Sequence, residues 1–265
     1  MRSLKIILIT LCFAASCSMV AQKNDLLPIE VVKDSTEFTQ IIENIKGASN
    51  ALFVFDVDNT LIITNDNGFG SDWWYTQTKT NPSLKLGVDN TCLFDVLTPL
   101  FYSMFETTDL FEGQSTLVDG LGKRNSSTIA LTSRGYTESV ANSTELALRK
   151  NEFTFINQDS VYLAKNVVML NGVIYTKGQN KGDVLLKYIE DKSYDQIFYF
   201  DDSLFKVEDV QEAFSDTDYN IELYHMKVAA KVPYSSTEID FMKGQLCNLI
   251  QTISNQGDET CTCGE

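Results

Sequence analysis

Two aspartates, Asp56 and Asp58, follow directly after an apolar segment of this sequence. The segment, residues 51–55, reads as a buried strand, because parallel strands covered on both faces are continuous apolar runs. In open α/β sheets, ligands bind beyond the carboxyl ends of such strands. Side chains two residues apart on an extended chain point to the same side, so one carboxylate can attack a substrate while the other transfers protons. The alternative is that these residues only cap the following turn.

Two later apolar segments also read as strands and end in polar side chains; they are residues 127–133 and 196–200. Because the carboxyl ends of parallel strands lie along one edge of a sheet, we expect the polar side chains to face a common site. Carboxylates crowded at one point repel each other strongly unless a cation is present. The residues at the three strand ends are Asp56, Asp58, Thr132, Ser133, Asp201 and Asp202.

A lysine at the start of a helix can bring positive charge to this edge. Lys181 opens the segment 182–189, which reads as a helix. Lys177 is an alternative, because it too precedes a glycine. The position at the helix start favours Lys181.

Strand and helix patterns alternate along the chain, as is typical of α/β proteins with a parallel sheet. The capping pattern of Asp34 and Glu37 predicts a helix before the first strand. Alternating apolar residues around Asn171-Gly172 predict a hairpin that hangs off the main sheet. Further helices are predicted at 137–150, 182–189, 204–214 and 235–253. The sequence thus predicts a Rossmann-like fold with three layers around a parallel sheet.

An insertion, residues 63–125, divides the predicted core. Its polar, glycine-containing first part reads as a flap, and helices are predicted at 93–105 and 110–122, which makes a small, mostly helical cap. Trp73 and Trp74 lie on the flap. Two roles are open for them: stacking over a substrate's leaving group, or packing between insertion and core. The core comprises residues 30–62 and 126–255.

The first 21 residues have the layout of a secretory signal peptide. Two basic residues precede an apolar run that is too short to span a bilayer, and small residues follow. Residues 14–17 also resemble a lipobox, in which cleavage before Cys17 leaves a lipid-anchored cysteine; ordinary cleavage nearby is the alternative. Either way we expect an exported protein of the periplasm or cell envelope, with no membrane attachment other than a lipid on Cys17. Residues 256–265 form a tail in which Cys261 and Cys263 have a structural or incidental role, such as pairing with Cys247.

The formal net charge of −15 disfavours a nucleic-acid partner, because such proteins neutralise phosphates with basic side chains. An acidic protein can still bind one phosphate group where a metal ion and a few fixed cations reverse the local field. The one histidine, His225, lies in the apolar segment 221–228 and reads as a strand residue rather than a catalyst.

The order of these residues resembles the four motifs of the haloacid dehalogenase (HAD) superfamily. The resemblance rests on Asp-Val-Asp-Asn-Thr at 56–60, then Thr132 after an apolar strand, then Lys181, then Asp201-Asp202. Finer features are similar to a bacterial HAD-like family of uncharacterised exported proteins, the DUF2608 group; they are residues 70–74, 132–135 and 181–182. The resemblance implies a HAD-type core and magnesium-dependent hydrolysis of small-molecule or other phosphate monoesters.

The resemblance also implies roles for the residues at the edge. Asp56 would attack phosphorus and carry the phosphoryl group, and Asp58 would protonate the leaving alcohol and then deprotonate the attacking water. Mg²⁺ would be held by the Asp56 side chain, the Asp58 backbone carbonyl and Asp201. Thr132, Ser133 and Lys181 would bind phosphoryl oxygens.

Three further residues would support this centre. Asp202 and Thr60 would lie behind the metal ligands, with Asp202 orienting a metal-bound water. Arg134 has two open readings: it reaches the substrate, or it closes a surface ion pair.

Two alternatives to a phosphatase stay open. One is an exported binding or interaction protein that keeps the fold and the metal site with little or no catalysis. The other is a phosphotransferase, which passes the phosphoryl group to an alcohol instead of water. The presence of Asp58 favours the phosphatase, because superfamily members that lack the second aspartate generally lose the acid that expels an alcohol.

Overall fold

The structure, a computed structural model, describes residues 26–64, 96–104, 106–122, 125–155, 160–227 and 236–255. Its strands are β1 (Ile29–Val32), β2 (Ala51–Phe55), β3 (Ile62–Thr64), β4 (Thr107–Asp109), β5 (Ser127–Thr132), β6 (Val161–Ala164), β7 (Val167–Leu170), β8 (Val173–Tyr175), β9 (Gln196–Asp201) and β10 (Ile221–Met226). Its helices are α1 (Ser35–Ile45), α2 (Thr98–Met104), α3 (Gln114–Asp119), α4 (Glu138–Lys150), α5 (Lys181–Ile189), α6 (Leu204–Phe214) and α7 (Ser236–Asn255).

One eight-stranded sheet forms the centre of the fold, in the order β1-β10-β9-β2-β5-β8-β7-β6. The first six strands in this order are parallel, and β7 and β6 continue the sheet in antiparallel fashion. Helices flank the sheet, so the predicted α/β architecture with a mostly parallel central sheet is confirmed, and it is compatible with a Rossmann-like fold.

The alternating side chains of β2 enter two different apolar clusters. Phe53 and Phe55 pack with residues of α1 and α4 on one face, while Leu52 and Val54 pack with residues of α5 and α6 on the other. All five residues of β2 are buried. This is why the strand is a continuous apolar run rather than an alternating one.

The prediction that a helix precedes the first strand was wrong, because β1 precedes α1 and pairs in parallel with β10. Strand β1 is a short edge strand with exposed Glu30 and Val31, so its sequence lacks the apolar run of a central strand. The predicted helix itself is confirmed: Asp34 caps α1 by accepting from the backbone N–H groups of Thr36 and Glu37.

The predicted hairpin is also confirmed, with Asn171 and Gly172 both at positive φ between β7 and β8. It does not hang off the main sheet. Strand β8 pairs in parallel with β5, with Val173 opposite Ala130, so the hairpin extends the sheet. Glycine is needed in this turn, because a Cβ on Gly172 would lie 2.5 Å from Cβ of Phe155.

A two-stranded antiparallel ladder lies in the insertion region, with Ile62 of β3 opposite Asp109 of β4. The two helices expected in the insertion are present in its described part as α2 and α3, with α3 shorter than predicted, whereas the ladder was not predicted. Residues 65–95 lie outside the described residues, and so do the predictions about Trp73 and Trp74.

Helix α7 is the predicted last helix, and its Cys247 is disulfide-bonded. Within the described ranges, no helix is both long enough and apolar enough to cross a membrane. The predicted signal segment 1–21 with Cys17, and the tail 256–265 with Cys261 and Cys263, fall outside these ranges.

Candidate active site

The carboxyl ends of β5, β2 and β9 bring the predicted residues to one edge of the sheet. Strand β2 lies between the other two, with Phe55 paired to Ala130 on one side and to Phe200 on the other. The backbone N–H of Asp56 donates to the carbonyl of Phe200 at 2.9 Å. Asp56 therefore continues the ladder by one residue and lies beside the end of β9.

Lys181 joins two of the aspartates. Its Nζ donates to Oδ1 of Asp56 at 2.6 Å and to Oδ2 of Asp201 at 2.7 Å. All three residues are buried, with Lys181 only 1% exposed. The lysine that the sequence favoured is thus the one that reaches the carboxylates.

The start of α5 explains how Lys181 reaches the sheet edge. Asn180 caps the helix by accepting from the backbone N–H of Asp183. The next residue, Gly182, allows α5 to approach α6 closely, because a Cβ there would lie 2.5 Å from the carbonyl oxygen of Asp209. The alternative lysine, Lys177, is exposed and lies outside this cluster.

Asp201 accepts hydrogen bonds from two further donors. The hydroxyl of Tyr199 donates to Oδ2 at 2.6 Å, and the backbone N–H of Ser203 donates to Oδ1 at 2.9 Å. Sequence reasoning missed Tyr199, because it lies in an apolar strand and reads as a core aromatic residue. Its spacing of two residues from Asp201, on the same side of β9, was the available signal.

Burial and mutual repulsion set the charges of this cluster. Burial raises the pKa of Asp56 to about 8; the charge of Lys181 lowers it, and the charges of Asp201 and Asp58 raise it. Burial opposes the charge of Lys181, but Asp201 and Asp56 more than offset this and raise the pKa of the lysine. Burial, followed by the charge of Asp201, raises the pKa of Tyr199 well above its usual range, so its hydroxyl stays a donor.

Three carboxylates of the site are close enough to hold one metal ion. Carboxylate oxygens of Asp56, Asp201 and Asp202 all lie within 4.8 Å of one another. Among the residues that the structure describes, the ammonium group of Lys181 bridges two of these acids, Asp56 and Asp201. Hard divalent cations prefer oxygen ligands, so the chemistry of this donor set fits such an ion.

Asp58 pairs with Arg134. Nε of Arg134 donates to Oδ2 of Asp58 at 2.9 Å, and Nη2 donates to Oδ1 at 2.7 Å. Arg134 is 7% exposed, so the expected surface ion pair is instead a buried one. The other reading, in which Arg134 reaches the substrate, stays a prediction.

The turn after Asp58 is held by its backbone. Asn59 adopts φ of 58°, and its N–H donates to the carbonyl of Ile62 at 2.8 Å. Thr60 lies within this turn and is buried, and the buried side chain of Gln114 donates to its carbonyl at 2.8 Å. Gln114 was missed, because nothing in its sequence surroundings marks it as different from other helix residues.

The two hydroxyl residues at the end of β5 differ in their surroundings. Thr132 is buried, and its Oγ1 accepts from the backbone N–H of Arg134 at 3.2 Å. Ser133 is exposed, and its carbonyl accepts from Gly178. His225 lies on β10, as predicted, with Nε2 at 3.1 Å from the carbonyl oxygen of Asp202.

Comparison with protein families gives one result that covers most of the chain. The family described as "Protein of unknown function (DUF2608)" matches residues 34–259, so the chain belongs to this family. The matched range contains every residue of the candidate site. A comparison with curated proteins found no match to the chain.

Proposed function

We propose that this DUF2608 member is a phosphatase of the HAD type, which hydrolyses phosphate monoesters through a phosphoryl group carried on Asp56. The observation that carries the proposal is the buried contact of Lys181 with both Asp56 and Asp201. A lysine fixed between two acids at the end of a parallel sheet provides the positive charge that an anionic substrate needs at an otherwise acidic edge.

In the first step, one carboxylate oxygen of Asp56 attacks phosphorus, and the bond from phosphorus to the ester oxygen breaks. The leaving oxygen receives a proton to become an alcohol. In the second step, water attacks phosphorus and gives a proton to Asp58, while the bond to Asp56 breaks and inorganic phosphate leaves. Asp58 is the group proposed to supply the first proton and to accept the second.

A magnesium ion fits the oxygen donors of this site. The side chains of Asp56 and Asp201 and the backbone carbonyl of Asp58 would hold it, with Asp202 close by. When bound, such an ion supplies positive charge to the phosphoryl oxygens. The protein's own Thr132, Ser133 and Lys181 would bind the remaining phosphoryl oxygens.

The proposed place of action rests on the sequence alone. The apolar run after Arg2 and Lys5 supports export, and Cys17 offers a site for a lipid anchor. We therefore propose that the substrate is a phosphomonoester of the periplasm or cell envelope.

Release of inorganic phosphate from a panel of phosphomonoesters, with and without magnesium, tests the proposal. The wild type is expected to release phosphate only with the metal, and Asp56→Asn to be at least about 100-fold slower. Asp183→Asn is the matched control, since Asp183 is exposed on α5 and should keep full activity. Absence of magnesium-dependent release from every ester would reject the phosphatase and favour a binding protein with the same site. Formation of a phosphorylated alcohol instead of phosphate would favour a phosphotransferase.

A further inference from the structure

The side chain of Arg134 donates hydrogen bonds to acceptors of the protein itself. Two of its N–H groups donate to the carboxylate of Asp58, and Nη1 donates to Oγ1 of Thr144 at 2.7 Å. Two parallel bonds from one guanidinium fix both the position and the plane of a carboxylate. A lysine carries the same charge but cannot impose this geometry.

Arg134 is itself held from several sides. Its backbone N–H donates to Thr132, and its carbonyl accepts from the N–H of Lys177 at 3.0 Å. The hydroxyl of Thr144 donates to the carbonyl of Val140 at 2.7 Å, which leaves lone pairs of its oxygen for Arg134. The orientation of Asp58 is thus connected to the end of β5 and to helix α4.

A residue of the insertion contacts the face of the Arg134 guanidinium. Tyr102 lies on α2, and the centroid of its ring is 3.6 Å from Cζ of Arg134. A guanidinium that stacks on an aromatic face gains a favourable cation–π interaction. Because α2 packs against α4, the arginine lies between the insertion and the core.

We propose that Arg134 is a positioning residue that orients the Asp58 carboxylate toward the reacting atoms. We further propose that this orientation depends on the insertion, through the contact of Tyr102 with Arg134. The inference rests on the proposed function, in which Asp58 transfers protons to and from the substrate. It assigns Arg134 to Asp58 rather than to the substrate, because three of its five N–H donors bind Asp58 and Thr144.

The first test is the kinetics of Arg134→Lys with a phosphomonoester that the wild type hydrolyses. A less precisely oriented Asp58 carboxylate is expected to lower kcat about tenfold and to leave KM within about twofold of the wild-type value. Arg149→Lys is the matched control, since Arg149 pairs with Glu145 on the exposed side of α4 and should keep both constants. A raised KM with unchanged kcat would overturn the proposal, because it would show that Arg134 binds the substrate.

A double-mutant comparison distinguishes a positioning role from general damage. If Arg134 acts through Asp58, then Asp58→Asn and Asp58→Asn with Arg134→Lys have the same residual rate. A further tenfold loss in the double variant would overturn the proposal.

The part played by the insertion is tested at Tyr102. Tyr102→Phe keeps the ring and should retain the wild-type kcat, whereas Tyr102→Leu removes it and should lower kcat about threefold at constant KM. Tyr162→Leu is the control, because Tyr162 is 80% exposed on the edge strand β6. Equal rates for all three variants would overturn the role of the insertion.

Crystal structures of the wild type, Arg134→Lys and Tyr102→Leu report on Asp58 whether or not the protein turns over. The proposal expects one ordered orientation of the Asp58 carboxylate in the wild type and a displaced or multiple orientation in both variants. The same orientation in all three would overturn it. A wild type that hydrolyses no ester would reject the proposed function separately, and these structures would still decide whether Arg134 places Asp58.

Discussion

Nζ of Lys181 lies 2.6 Å from Oδ1 of Asp56, although 125 positions separate the two residues in the chain. The contact connects the first residue of α5 to the end of the central strand β2. It brings a buried cation to the group proposed as nucleophile. We expect both the stability of the site and its proposed chemistry to depend on this contact.

Lys181→Met should destabilise the protein strongly, because it leaves the buried Asp56 and Asp201 without their shared cation. Removal of one partner from a buried ion pair costs about 3–5 kcal/mol. Lys177→Met is the matched control and should change the free energy of unfolding by less than about 0.5 kcal/mol, since Lys177 is exposed. Urea denaturation of both variants provides the measurement. Similar values for the two would contradict the assignment of Lys181 as the buried cation.

Gly182→Ala should also destabilise the protein. Its Cβ would lie 2.5 Å from both Cβ of Ala213 and the carbonyl oxygen of Asp209, so α5 must move away from α6. Overpacking of this kind costs about 1–3 kcal/mol. Gly244→Ala is the control, because a Cβ at this helical position meets nothing within 4 Å and alanine favours helices. The melting temperature should fall for the first variant and stay equal or rise for the second; a reversed order would contradict the close packing of α5 on α6.

The central strands and the site lysine could be predicted from sequence because the signals are local. Strands buried on both faces are apolar runs, as in β2, and Lys181 directly precedes a helical pattern. Edge strand β1 and the β3–β4 ladder could not be predicted, because each is short, partly exposed and defined by its partner strand.

The hydrogen-bond partners of Arg134 and Asp201 could not be predicted from the sequence, for a different reason. Arg134 binds Asp58 across 76 positions, and only the order of β2 and β5 in the sheet places them together. In the sequence, Tyr199 cannot be distinguished from a core aromatic residue. The structure shows that its hydroxyl donates to Asp201. A pairwise contact between distant segments leaves no pattern in either segment.

Divalent magnesium should stabilise the folded protein through the carboxylate cluster. A ligand at about 100 times its Kd contributes about 2.7 kcal/mol, which for a chain of this size raises the melting temperature by roughly 5 °C. Asp201→Asn should reduce this rise, because it removes one charge from the cluster. Asp209→Asn, on helix α6, should retain it. A magnesium-dependent rise that is equal in wild type and Asp201→Asn would contradict the proposed metal site.

Stability should fall at alkaline pH through Tyr175. Burial raises the pKa of Tyr175 from its ordinary value of 10.0 to about 12, against the lowering effect of Arg134. The neutral form is therefore favoured in the folded state, so this contribution is complete below pH 10 and is lost between pH 10 and about 12. The loss is about 2–3 kcal/mol.

Denaturation of the wild type and Tyr175→Phe at pH 9 and near pH 12 measures this contribution. The phenylalanine variant should lose less stability than the wild type over this interval, because its side chain cannot ionise. Tyr162→Phe serves as the control for removal of an exposed hydroxyl. Equal losses in wild type and Tyr175→Phe would contradict the raised pKa.

The most direct test of the proposed chemistry is to trap the phosphoryl group on the protein. Wild type is mixed with magnesium and a phosphomonoester that it hydrolyses, quenched in acid during turnover, digested and analysed by mass spectrometry. We expect the mass of one phosphoryl group on the peptide that contains Asp56, and its absence from Asp56→Asn. Phosphate release by Asp56→Asn at the wild-type rate, with no phosphoryl group on this peptide in either protein, would contradict the role of Asp56 as the nucleophile.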